Sequence, residues 1–211
     1  MKRLTVIALL GLTACGGFEN EPFKTGVVRG QVTGADERAL VSVIGREDLT
    51  TKPDAAGAFE LAGVPLGQAE LLIIANATSS RRLTVEVGGA SVVELGVVDA
   101  PPSVKLEVHV EGGYHDLSHG TVRLVGTPLT RRIEVEGFES EAEFFVPAGC
   151  YEARASVPGL GQASNTLCFT DTLTHSLRVT FPTPDGSEGR EGCSVTGCLF
   201  PFTCQSDRTC R

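Results

Sequence analysis

The sequence predicts an all-β protein: two tandem Greek-key β-sandwiches of about seven strands each, followed by a disulfide-rich C-terminal tail. Three observations carry that expectation. The chain has 25 Gly, 11 Pro and no Trp, with Val and Thr prominent, a usage that suits short strands joined by tight turns. Short runs of alternating apolar and polar residues recur along the chain, and 104–111 is the cleanest of them. Finally, a strand–corner–strand pattern at Gly57-Ala58-Phe59-Glu60-Leu61-Ala62-Gly63-Val64-Pro65-Leu66-Gly67 is echoed at Glu143-Phe144-Phe145-Val146-Pro147-Ala148-Gly149.

At 211 residues the chain has room for two small domains. Its formal charge of -8 and pI near 5.0 argue against nucleic acid or an anionic membrane surface as partner, since both reward clustered Lys and Arg.

The N-terminus reads as an address. Lys2 and Arg3 precede an apolar run from Leu4 to Leu12, which is too short to span a membrane. Residues 1–14 are therefore expected to be a signal peptide. Leu12-Thr13-Ala14-Cys15 resembles the bacterial lipobox, and this resemblance implies lipidation at Cys15, with an ordinary signal peptide and a paired cysteine as the alternative. Two or more acyl chains suffice for stable anchoring. Gly16-Gly17 follows, without the Asp that marks inner-membrane retention in enteric lipoproteins. The resemblance thus implies an outer-membrane lipoprotein, facing the periplasm or the exterior. Residues 15–25 are a tether.

The first sandwich is expected over 26–99. Gly26 to Thr33 opens it, Leu40 to Ile44 follows, and Pro53-Asp54-Ala55-Ala56-Gly57 supplies a turn. Phe59 and Leu61 share a face. Glu70 to Ala75 is apolar on both faces, as a central strand is. Leu83 to Val87 alternates, and Gly88-Gly89 turns the chain into Ser91 to Val98. The run Gly26-Val27-Val28-Arg29-Gly30-Gln31-Val32, the Asp54 to Leu61 stretch and Gly63-Val64-Pro65-Leu66-Gly67 resemble the carboxypeptidase regulatory-like domain, akin to transthyretin and collagen-adhesin B-type sandwiches. That resemblance implies a fold and no particular activity. An isopeptide weld of the adhesin kind would have only Lys24, Lys52 and Asn76 to draw on.

Ala100-Pro101-Pro102 marks the boundary, because proline cannot continue a ladder. A second sandwich is expected over 103–182, with strands at 104–111, 121–125, 131–136, 142–146 and 150–157. Cys150, Glu152, Arg154 and Ser156 then face outward, and Tyr151, Ala153, Ala155 and Val157 inward. Pro158-Gly159-Leu160-Gly161 is a hairpin loop, and a register centred on Gly159 sets Cys150 opposite Cys168. A cross-strand disulfide follows, as expected in an oxidising compartment.

Residues 183–192 read as a linker, and 193–211 as a tail carrying Cys193, Cys198, Cys204 and Cys210. These four form two disulfides of open connectivity, or a zinc knuckle as the alternative. Leu199-Phe200-Pro201-Phe202 is either the tail's small core or a partner contact.

No residue set demands catalysis, and no cofactor or resident metal is expected. The leading expectation is a non-enzymatic envelope lipoprotein, a structural spacer or protein-interaction module. Its partners would be the membrane, through the lipid, and an envelope protein or glycan, but no nucleic acid. One alternative is a carbohydrate-binding module using Tyr114 and Tyr151. Another is a metal-binding enzyme built on His109, His115 and His119, with Glu111 and Asp116 nearby.

Overall fold

The computed structural model describes residues 25–112, 118–135 and 139–182. Seven strands build a first sandwich: β1 (Thr25–Val32), β2 (Leu40–Val43), β3 (Arg46–Thr51), β4 (Ala58–Pro65), β5 (Gly67–Asn76), β6 (Ser79–Val87) and β7 (Val92–Val98). Seven more build a second: β8 (Val104–Glu111), β9 (Ser118–Leu124), β10 (Thr130–Val135), β11 (Glu139–Val146), β12 (Gly149–Val157), β13 (Gly161–Phe169) and β14 (His175–Thr180). No helix among the described residues is long and apolar enough to cross a membrane.

The two sandwiches are copies of one topology. In the first, a sheet ordered β4-β1-β7 faces a sheet ordered β3-β2-β5-β6; in the second, β11-β8-β14 faces β10-β9-β12-β13. The first strand of each copy pairs antiparallel with the fourth and parallel with the seventh. An offset of 82 residues takes the hairpin pair Gly67–Val87 onto Gly149–Phe169. The repeated Val-Pro-x-Gly corner is thus the same joint in each copy, turning the fourth strand of one sheet into the fifth strand of the other.

Alternation puts one side chain in two between the sheets. Val28, Val41, Phe59, Leu61, Leu71 and Ile73 fill the first core, and Leu106, Val108, Leu124, Phe144, Tyr151 and Val179 the second. Each fully buried Leu or Phe contributes about 1.5–3 kcal/mol.

The turn before β4 shows why its residues are needed. Asp54 Oδ1 accepts hydrogen bonds from the backbone N–H groups of Ala56 (2.8 Å) and Ala58 (2.9 Å). Gly57 has φ of +83°, and a Cβ there would meet the Val32 carbonyl oxygen at 2.2 Å. Only glycine fits that approach.

Two strands escape a reading by periodicity. β3 (Arg-Glu-Asp-Leu-Thr-Thr) is a polar edge strand with no buried side chain, and β14 shows alternation over only six residues. The boundary prolines need a correction as well. They do not merely interrupt: Ser79 and Pro102 form a bridge, Ser80 N–H donates to the Pro101 carbonyl (2.9 Å), and Ser103 N–H donates to the Thr78 carbonyl (2.7 Å). Proline lacks an N–H but keeps its carbonyl, so the linker is strapped along the start of β6.

Candidate functional site

His109 and His119 are not brought together. His109 lies on β8, at an outward position between the buried Val108 and Val110, and the exposed His119 lies on β9, a strand of the opposite sheet. His109 Nδ1 is 2.9 Å from Glu139 Oε1, a cross-strand contact that gives it a surface role. His115, Asp116 and Tyr114 lie outside the described residues, as do Cys15, Lys24, Cys193, Cys198, Cys204 and Cys210. A fourth histidine escaped the sequence reading. His175 Nε2 sits 2.6 Å from Asp171 Oδ1, and its ring stacks on Phe169 at 4.6 Å. The Leu173 backbone N–H, then His175, hold the Asp171 carboxyl below the usual carboxylate range. Any stability drawn from this is full above the unfolded-state value and fades as pH falls through the lowered one. An NMR titration of Asp171 should therefore show a midpoint below the ordinary aspartate range.

Among the described residues, the one carboxylate trio close enough to share a cation is Glu107, Glu141 and Glu143. Lys105 Nζ already bridges two of them, at 2.7 Å from Glu107 and 2.5 Å from Glu143. These carboxylates push the Lys105 pKa upward, so its amine stays protonated and is no nucleophile. Lys52 is exposed. Asn76 is engaged in a turn, donating to the Gly34 carbonyl (3.1 Å) and accepting from Thr78 N–H (2.9 Å).

Tyr151 corrects the glycan alternative. It is buried, its hydroxyl donates to the Pro147 carbonyl (2.8 Å), and its ring packs on Phe169 at 5.7 Å. A ring so placed offers no face to a sugar. The cysteine pair follows the hairpin register, in which Cys150 and Cys168 stand directly opposite and are joined as a disulfide.

The most built feature is the joint between the sandwiches. Strand alternation in β5 sends Leu71 and Ile73 into the first core, so Leu72 and Ile74 face the other side of the sheet. They are buried there too, at 0% and 6% exposure. Their partners across β2 are Ser42 and Leu40. An offset of 82 places Arg154 and Ser156 at the positions of Leu72 and Ile74, and the β9 partners of these are Arg123 and Thr121. The outward face is therefore apolar in the first copy and polar in the second. The difference has a physical cause: one end of the second sandwich covers that face of the first.

Polar clamps flank the apolar patch. Arg82 on β6 pairs with Glu70, with Nη2 to Oε2 at 2.8 Å, and its guanidinium lies 5.7 Å from the centre of the Tyr151 ring. Gly149 makes room for it, since a Cβ there would stand 2.2 Å from Arg82 Nη1. On the other flank, Gly45 N–H donates to the Gly126 carbonyl (2.8 Å) and Gly126 N–H donates to Glu47 Oε1 (3.0 Å). Arg123 completes that corner, 3.5 Å from Glu47 Oε2.

The Ser42 hydroxyl is fully buried in this joint, with no hydrogen-bond partner among the described residues. An unsatisfied hydroxyl costs about 1–3 kcal/mol. Ser42→Ala is expected to stabilise the protein by about 1 kcal/mol, seen as a higher urea midpoint at unchanged slope.

Beside the patch runs a groove of about 450 Å³ lined by Leu40, Ile74, Leu129 and Phe145, with Arg38 from the first sandwich and Arg131 from the second. Neither the joint nor the groove follows from a local sequence pattern, though the two apolar faces of Glu70 to Ala75 announce a second covering layer.

No protein-family model and no curated protein matches the chain. Among solved structures, it is similar to the Bacillus anthracis TIE protein (16% identity, TM-score 0.28, covering 75% of this chain and 34% of that one). It is also similar to a streptococcal ancillary pilin (12%, 0.27, 77% and 63%) and to the shaft pilin SpaA of Lactobacillus rhamnosus GG (9%, 0.24, 77% and 99%). The chain thus spans about a third of the length of the first of these. At such TM-scores the likenesses decide nothing about this chain. What the geometry itself defines is a tandem β-sandwich protein with a covered joint.

Proposed function

We propose that the protein is a non-enzymatic lipoprotein of the bacterial envelope, anchored through Cys15 and serving as a spacer and protein-interaction module. The observation that carries this reading is the joint: two copies of one sandwich are clamped together, with the linker hydrogen-bonded along β6. Chain direction supports it. Val32 pairs with Val98 just before the linker, so Thr25 lies at the end of the first sandwich remote from it. β14 runs parallel to β8, so the chain leaves the second sandwich at the end remote from the linker. The lipid and the cysteine-rich tail therefore attach to distant ends of a preassembled pair. The Cys150–Cys168 bridge suits an oxidising compartment.

Metabolic labelling of producing cells with an alkyne fatty acid tests the anchor. Label is expected on the wild-type chain and lost in Cys15→Ser. An unlabelled wild-type chain overturns the lipoprotein reading. Protease treatment of intact cells then distinguishes a surface-facing tail from a periplasmic one.

A further inference from the structure

We propose that the groove at the joint binds an extended peptide segment carrying a carboxylate beside an apolar side chain. The inference deepens the interaction-module reading and rests on it. The first observation is where cations are left over. The chain holds 26 acidic side chains against 18 Lys and Arg, and most of the described arginines are neutralised. Arg29, Arg46, Arg82, Arg123, Arg154 and Arg178 each pair with a carboxylate. Arg38, Arg81, Arg131 and Arg132 do not, among the described residues, and of these four Arg38 and Arg131 line the groove. Arg131 donates only to backbone carbonyls, those of Glu143 (3.3 Å) and Thr130 (3.2 Å), and lies over the Phe144 ring at 5.5 Å. The Arg38 side chain has no hydrogen-bond or ion-pair partner among the described residues.

These two unneutralised guanidinium groups come from different sandwiches and line one groove. That makes the site a product of the joint, absent from either sandwich alone. Between them lie Leu40, Ile74, Leu129 and Phe145, with the Asn76 amide at the rim and no acidic side chain in the lining. A guanidinium fork recognises a carboxylate by paired charge-assisted hydrogen bonds, and the apolar walls reward an adjacent aliphatic or aromatic group. The volume falls within the range of small-ligand sites, enough for a short stretch of extended chain. Charge complementarity selects the occupant: an acid is attracted to this spot on a protein whose overall charge repels it.

Fluorescence anisotropy on the purified full chain tests this with labelled hexapeptides placing one Asp or Glu beside Phe, Leu or Val. Each is matched by its Asn or Gln counterpart. The acidic form of at least one peptide is expected to bind about ten-fold tighter than its amide. Arg38→Gln and Arg131→Gln should each remove most of that preference, and the double variant all of it. Arg132→Gln, an exposed arginine outside the groove, should leave it intact. Three results would each overturn the proposal: equal binding of acid and amide throughout, an Arg132→Gln effect as large as the others, or a groove that takes decanoate and no peptide. Because the assay uses purified protein, its outcome is independent of acylation, so failure here is distinct from failure of the Cys15 labelling.

Discussion

Leu72→Arg is expected to open the joint while leaving the first sandwich folded. The substitution installs the residue that the second copy carries at the equivalent position, Arg154, where the sheet accepts it with an outward side chain paired to Glu152 (2.8 Å). A sandwich of this topology therefore tolerates arginine there. The joint does not. Leu72 is wholly buried between Glu70 and Ile74 on the covered face, and Glu70 is already engaged by Arg82. A guanidinium placed there loses its water with no free carboxylate to meet. The cost to the docked state is on the order of 4 kcal/mol. Calorimetry of the wild type should give a single cooperative transition, and of Leu72→Arg two separable ones. Leu72→Ala, which leaves only a cavity, should fall between them at about 2–3 kcal/mol. If Leu72→Arg melts as one unit at the wild-type temperature, the face is not an interface.

Removing the Cys150–Cys168 bridge should cost about 3 kcal/mol, because the cross-link closes a loop of about 18 residues in the unfolded chain. For the two sandwiches unfolding as one cooperative unit that corresponds to a fall of roughly 9 °C in Tm. The Cys150→Ser/Cys168→Ser double variant measures this without leaving a free thiol. The repeat adds a companion. Gln68 and Glu86 stand opposite each other in the first copy, at the register of the two cysteines in the second. Gln68→Cys with Glu86→Cys should therefore oxidise to a new bridge and raise the stability of the first sandwich. A pair that stays reduced under oxidising conditions would contradict the equivalence of the two hairpins.

What could be read from the sequence follows where side-chain period meets a single buried face. β8 and β12 alternate cleanly, so their inward residues, the hairpin at Gly159 and the cysteine register all emerge from period alone. The Asp54–Gly57 turn and the Val-Pro-x-Gly corners are visible because they need specific backbone freedom. β3 was invisible because an exposed polar edge strand has no hydrophobic period to detect. The joint was hidden for a different reason. A strand that is apolar on both faces reads as a central strand whatever covers its second face, and only the polar equivalents Arg154 and Ser156 reveal that the cover is a neighbouring domain. The groove depends on residues 93 positions apart, Arg38 and Arg131, which no local pattern connects. Tyr151 shows the converse error: an aromatic at an inward position of an alternating strand is core first, and its hydroxyl needs only one carbonyl to be satisfied.

A clamped joint requires the two sandwiches to tumble as one body. Backbone 15N relaxation of the full chain tests it directly, since amides on β1–β7 and β8–β14 each report the rotational diffusion of the body that carries them. A single diffusion tensor that fits both sets, with Leu72→Arg splitting it in two, is the predicted result. Separate, faster tensors for the two sandwiches of the wild-type protein would contradict it.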